Sequence, residues 1–220
     1  MRVVFAATIA ALLGSTIALA TPDGLYLLAG NDSHKKQDYS GDMYIQHKGD
    51  VLQLSWHVGN GNDVSTGAIG YGDAIVAFCC GADLYLYIQK GDDAIGVWTN
   101  QNDKDFRTEV LYRKSPPALA KETPPPEDIL GHYLISGSNP DATTYTGEVI
   151  VERDGKVLKV TKVAAGKHAV GLGLVFMNYL AVDYYGDSLA VYGPEQQGRI
   201  GVWTKWGSDK VGTERWVRAP

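Results

Sequence analysis

The chain predicts an all-β protein made of two tandem small antiparallel up-and-down β-barrels, each of about seven or eight strands. Three observations predict it. First, landmark residues recur in order at an offset that stays between 105 and 107 along the mature sequence. Second, apolar residues alternate with polar ones at a period of two, as in Leu52, Leu54 and Trp56 against Gln53 and Ser55. Third, turn signals punctuate these runs at Lys48-Gly49-Asp50, Gly59-Asn60-Gly61-Asn62, Tyr71-Gly72-Asp73, Lys90-Gly91-Asp92 and Asp154-Gly155-Lys156. Two β-sandwiches are the alternative architecture. The short local connections favour the meander.

The elements follow in chain order. Residues 1–20 read as a cleavable secretory leader: Arg2 gives the positive start, Val3 to Leu13 the apolar run, and Ala18-Leu19-Ala20 the small-residue cleavage site. The leader has no cysteine for lipid attachment, so the expected location is periplasmic or secreted. No later segment reads as a membrane span. Residues 21–114 form the first repeat and 128–220 the second. Gly24-Leu25-Tyr26 matches Gly131-His132-Tyr133, and Tyr39-Ser40-Gly41 matches Tyr145-Thr146-Gly147. Ile95-Gly96-Val97-Trp98-Thr99 matches Ile200-Gly201-Val202-Trp203-Thr204, and Thr108-Glu109 matches Thr213-Glu214. Residues 115–127 hold five of the nine prolines and read as a semi-rigid linker. Within the repeats, one-sided alternation predicts sheets with one buried face. At about 90 residues per unit, interiors filled by side chains are expected.

The formal net charge of −5 argues against nucleic acid and against an anionic membrane surface. The two cysteines, Cys79 and Cys80, are neighbours. Adjacent strand residues point to opposite faces, which favours two separate small hydrophobes; a bond between them is the alternative.

The ordered set Gly-x-Tyr, Tyr-x-Gly, Gly-Val-Trp-Thr and Gly-Thr-Glu resembles small exported bacterial β proteins often labelled fibronectin-binding proteins. The second repeat, with Gly212-Thr213-Glu214, is the more similar. The first departs at Arg107-Thr108-Glu109, where the glycine is missing. The resemblance implies a shared fold, and the label implies extracellular-matrix adhesion. Each repeat also opens on Gly-x-Tyr and closes on Arg113 or Arg218. That is similar to lipocalin-type barrels, in which an aromatic at the barrel floor packs under a basic side chain.

Signals for chemistry are few. There is no Gly-x-Ser-x-Gly elbow and no Cys-x-x-Cys, and His34, His47 and His57 lack counterparts in the second repeat. No catalytic residue, metal or cofactor is expected. Glu109 and Glu214 stand at matched positions, each four residues before an arginine. Residues that both units share are those the unit needs to fold, so a carboxylate bonded to a core tyrosine or to that arginine is the preferred reading. Trp98 and Trp203 read as core or barrel-end aromatics. Specific function is sought where the repeats differ, chiefly the Trp56–Cys80 segment against the Lys162–Tyr185 segment. Trp56, Tyr85, Tyr185 and Trp206 are the candidate binding residues, with Tyr44 beside them. The expected function is a non-enzymatic binding or adhesion protein of the bacterial envelope, with a protein or small ligand as partner. The alternatives are an exported enzyme using Glu109 or Glu214 as acid or base, and a passive structural component. An open, polar-lined cavity in one barrel would favour a ligand inside over a partner outside.

Overall fold

A computed structural model describes residues 23–33, 35–65, 67–102, 104–121, 124–185 and 187–220. The expected leader lies outside the described residues. The first repeat contains β1 (Gly24–Asp32), β2 (Gln37–Lys48), β3 (Val51–Val58), β4 (Gly61–Val64), β5 (Gly67–Tyr71), β6 (Ala74–Cys79), β7 (Asp83–Lys90), β8 (Asp93–Asn100) and β9 (Arg107–Tyr112). A 3-10 turn at Glu127–Ile129 leads into the second. Its strands are β10 (Gly131–Ser138), β11 (Thr144–Asp154), β12 (Val157–Ala164), β13 (Lys167–Phe176), β14 (Tyr179–Tyr184), β15 (Ser188–Glu195), β16 (Gly198–Lys205) and β17 (Gly212–Arg218). No helix among the described residues is long and apolar enough to cross a membrane.

Both repeats are closed antiparallel barrels of eight strands. In the second, β10 to β17 pair in sequence order and β17 returns to β10. In the first, the ring runs β2-β1-β9-β8-β7-β6-β5-β3 and closes through β2–β3, with β4 and β5 sharing the other edge of β3 in succession. Tight hairpins set the register. Gly49 and Gly155 take left-handed φ of 64° and 66° in two-residue turns between Lys48 and Val51 and between Asp154 and Val157.

The matched positions explain the barrel floors. The Arg113 guanidinium lies 4.6 Å from the Tyr26 ring centre, and Arg218 lies 5.1 Å from that of Tyr133. Gly24 and Gly131 have φ of 128° and 131°, and a Cβ at either would come within 3.2 Å and 2.7 Å of those arginines. The arginines therefore cap tyrosines and do not pair with Glu109 or Glu214.

The expected single buried face holds for β2, β3, β11 and β12 but not for the strands between. β6 is buried along its whole length, as are the centres of β7, β14 and β15. Tyr85 and Tyr87 point into the first barrel, while Leu84 and Leu86 point into a second core outside it. That outer core joins the barrels: Val76, Leu84, Leu86 and Val97 of one pack with Leu172, Leu174, Leu189 and Val191 of the other. The linker does not hold the barrels apart. Ala120 packs against the shared core, and Arg153 donates to the Pro125 carbonyl at 2.8 Å.

The junction is near-symmetric. β5 meets β15 and β16, and the corresponding β13 meets β7 and β8; β6 meets β14. Matched residues also face each other at its edges. The backbone N–H of Asp50, in a floor-end turn of the first barrel, donates to the Asp209 carbonyl in a loop of the second. Lys104, in the corresponding first-barrel loop, pairs with Asp154 in a floor-end turn of the second. The two barrels thus point in opposite directions.

Candidate functional site

Glu109 lies on β9 directly opposite two glycines, Gly30 on β1 and Gly96 on β8. Those glycines make room for two tyrosine rings. A Cβ on Gly30 would come within 2.2 Å of the Tyr39 ring, and one on Gly96 within 2.3 Å of the Tyr87 ring. Both rings cross above the missing side chains and donate to the carboxylate: Tyr39 Oη to Oε2 at 2.7 Å and Tyr87 Oη to Oε1 at 2.5 Å. Two indoles complete the network. Trp98 Nε1 donates to Tyr39 Oη at 2.8 Å, and Trp56 Nε1 to Tyr87 Oη at 3.4 Å. Burial drives the Glu109 pKa up to about 7, against the opposing effect of the two tyrosine hydroxyls. Its charge raises the pKa of Tyr39 and Tyr87 beyond what their burial does.

The same core is repeated around Glu214 on β17, opposite Gly137 and Gly201. Tyr145 and Tyr192 donate to it, each at 2.6 Å. There the likeness ends. Trp216 Nε1 donates to Glu214 Oε1 at 2.7 Å, whereas the matched first-repeat residue is Leu111. Lys162, itself half-buried, forms an ion pair with the buried Glu214 Oε2. Lys162 stands opposite Val149, as Trp56 stands opposite Met43, so the lysine and the tryptophan occupy one register position.

In the first barrel this end is open. A cavity of about 340 Å³ enters the mouth, with Glu109 at its floor and Tyr39, Trp56, Tyr85 and Trp98 as its walls. That volume lies within the range of small-molecule pockets, roughly 300–1,000 Å³. The rings adjoin one another: Tyr85 lies 5.0 Å from Trp56, tilted at 36°, and is stacked on Trp98 at 5.4 Å and 22°. On Trp98 sits the Arg107 guanidinium at 4.5 Å, held by Asp32 at 3.0 Å. Asp32, Lys35, Asp63 and Asp83 supply the charged rim.

A break in one strand accompanies the opening. β13 pairs with β12 without interruption, but its counterpart is divided into β4 and β5 about Ser65. Ser65 covers the break by bonding the Leu54 backbone in both directions, at 2.8 and 3.0 Å. β4 is exposed along its length, and Asp63 on it reaches the cavity.

The cysteines border the same mouth and are joined, which corrects the expectation of two separate thiols: Cys79 and Cys80 form a disulfide with Cα atoms 3.7 Å apart. The strand argument does not apply because β6 ends at Cys79. Cys80 turns left-handed at φ 61°, so the two side chains no longer point to opposite faces.

Of the candidate binding residues, the structure brings Trp56 and Tyr85 together in the cavity and places the others elsewhere. Trp206 packs on Phe78 at 4.7 Å within the junction between the barrels. Tyr185 is exposed at the end of β14, and Tyr44 on the outer face of β2. His47, His57 and His132 pair with Asp23, Asp42 and Glu148 on the exterior; His34 lies outside the described residues. The residues that sequence reasoning did not assign to binding are Tyr39, Trp98 and Glu109. Their appearance in both repeats directed them to the fold, and the signal that separates the repeats was the single position shared by Trp56 and Lys162. The expectation of filled interiors holds for the body of the first barrel, where Leu28, Met43, Leu54 and Tyr87 are buried, and gives way at its mouth, where the cavity lies. A larger cavity of about 570 Å³ lies between the linker and the β13–β14 turn, lined by residues such as Leu119, Pro124 and Met177. Among the described residues its polar side chains are those of Lys121 and Asn178, both exposed.

No family model matches the chain, and no curated protein does. Among solved structures it is similar to a protein of unknown function from the DUF3598 family of Nostoc punctiforme. The likeness covers 90% of this chain and 96% of that one, at 8% identity and a TM-score of 0.33.

Proposed function

We propose that this is an exported, non-enzymatic binding protein of the bacterial envelope that holds a small molecule in the mouth of its first barrel. The observation that carries the reading is the open cavity walled by Tyr39, Trp56, Tyr85 and Trp98 over a buried carboxylate. Large rigid aromatic walls with a few convergent polar groups are the usual composition of a ligand pocket. Trp56 and Trp98 also give the test its signal. A ligand entering the mouth is expected to change tryptophan fluorescence and raise the melting temperature, with both effects lost in Tyr85→Ala or Trp98→Ala. A ligand that acts equally on wild type and on both folded variants refutes the assignment.

A second reading makes Glu109 a general acid or base, since its pKa is pushed up to about 7 beside an open pocket. Against it, both carboxylate oxygens already accept a tyrosine hydroxyl. Turnover of a bound ligand that ceases in Glu109→Gln would establish that reading.

A further inference from the structure

The second barrel shows what the first lacks. The Lys162 ammonium is paired with Glu214 and surrounded by rings, 5.0 Å from Tyr145, 5.6 Å from Tyr184 and 5.7 Å from Trp203. This is a cation held by an aromatic cage on a carboxylate, an arrangement that favours ammonium groups. The first barrel keeps the carboxylate as Glu109 and the walls as Tyr39 and Trp98. Tyr184 is replaced in register by Cys79, but Tyr85 stands where the second barrel has Ala190 and supplies another ring. With Trp56 in place of the lysine, the cage has one more aromatic wall and, among the described residues, no internal cation over its carboxylate.

We propose that the mouth of the first barrel is a site for an organic ammonium ion, whose cationic head takes the place over Glu109 that Lys162 Nζ takes over Glu214. The inference rests on the small-molecule reading above and gives it a ligand class. Among the described lining residues, Asp63, Asp83 and Glu109 are acids and Lys35 is the base, while Asp32 is paired with Lys35 and Arg107. Arg107, which sits on Trp98, pairs with Asp32 and is not among the lining residues. Among the described residues no cation stands at the floor to hold an anion, and a neutral ligand gains nothing from Glu109 that a tyrosine hydroxyl does not already take.

Protons should be linked to binding. The groups facing Glu109 are Tyr39 from β2, Trp56 from β3, and Tyr85 and Tyr87 from β7; Asp32, Lys35, Asp63, Asp83 and Arg107 stand at the rim. None is a cation in contact with the Glu109 carboxylate. Burial holds a fraction of Glu109 protonated near neutrality, and a cation above it favours the ionised form. A ligand of fixed charge therefore binds more tightly as pH rises through about 7 and releases protons as it binds.

Three probes of one shape test the inference on the mature chain: choline, its neutral carbon isostere 3,3-dimethylbutan-1-ol, and the anion 3,3-dimethylbutanoate. Calorimetric titration should show choline binding about tenfold more tightly than the alcohol, with the anion weakest. Choline affinity should rise from pH 6 to pH 8, while that of the alcohol stays level. Glu109→Gln should lower choline affinity about tenfold and leave the alcohol within about twofold. Trp56→Lys should supply the missing internal cation and abolish choline binding. Should that variant not fold, judged by its circular dichroism, the Glu109→Gln comparison decides alone. Equal or tighter binding of the alcohol or the anion overturns the ammonium assignment and leaves the small-molecule reading in place. Binding of choline unchanged in Glu109→Gln overturns the site. If none of the three probes binds, the ammonium assignment falls, and the fluorescence and melting test decides the wider reading independently.

Discussion

Glu109 and Glu214 accept the same two tyrosine hydroxyls and differ in what balances their charge, so the same substitution should have opposite effects. Glu214→Gln leaves the ammonium of Lys162 largely buried without its counter-ion and is expected to destabilise the protein by about 3–5 kcal/mol in denaturant titrations. Glu109→Gln removes a charge that burial disfavours and is expected to leave the midpoint unchanged or raise it at pH 8. The pH dependence has a definite sign. Glu109 rises from an ordinary 4.5, and Asp183 from 3.8, each to about 7 through burial. Between the ordinary and raised values the folded state keeps protons that the unfolded state has lost. Stability therefore falls as pH climbs from about 4 to about 7 and levels beyond it, by on the order of 3 kcal/mol for each group. Melting curves across that range should show the decline, and the double variant Glu109→Gln, Asp183→Asn should flatten it. A flat wild-type profile would show that neither burial matters.

Strand by strand, the sequence discloses some features and conceals others, for physical reasons. Repeat boundaries, hairpin turns and barrel class are legible because glycines and alternation are local signals. The buried outer faces of β6, β7, β14 and β15 are not, because what covers them is the other barrel, more than a hundred residues away. The runs Ala74–Cys79 and Tyr179–Tyr184 carry the one available sign, near-continuous hydrophobicity without alternation. Trp206 reads as an exposed aromatic for the same reason, until Phe78 is placed against it. The mouth was half legible: Trp56 and Tyr85 stand out from the repeat, but the break between β4 and β5 has no alternation signal of its own. Glycine substitutions test the construction of the carboxylate cradle. Gly30→Ala, which must push aside the Tyr39 ring, is expected to cost about 1–3 kcal/mol and to weaken ligand binding. Gly59→Ala, with φ 60° and open space around the new methyl, should cost about 1 kcal/mol and leave binding alone. Equal effects on binding would show that Tyr39 is not held by the glycine.

Taken whole, the chain is arranged as a two-fold dimer would be, with matched strands of the two repeats meeting across one apolar junction. One symmetric pair of contacts even shows both sides of the relation: Phe78 meets Trp206, and at the mirrored place Gln101 donates to Asp183. The shared core predicts a single cooperative unfolding transition, coincident by tryptophan fluorescence and circular dichroism, rather than two. The isolated second barrel, residues 128–220, should pair with itself through Leu172, Leu174, Leu189 and Val191, and sedimentation should find it dimeric. A monomeric second barrel, or two separated transitions, would mean that the junction contributes little. Joining the halves in one chain also changes what mutation can do. In an assembly of identical subunits, any altered codon appears in every pocket, and a change that plugs one plugs all. Once two copies share a gene, each position is free to vary alone. The Trp56–Lys162 pair shows such freedom: one half carries its cation as a permanent part of its own side chains, and the other is left to take one from outside.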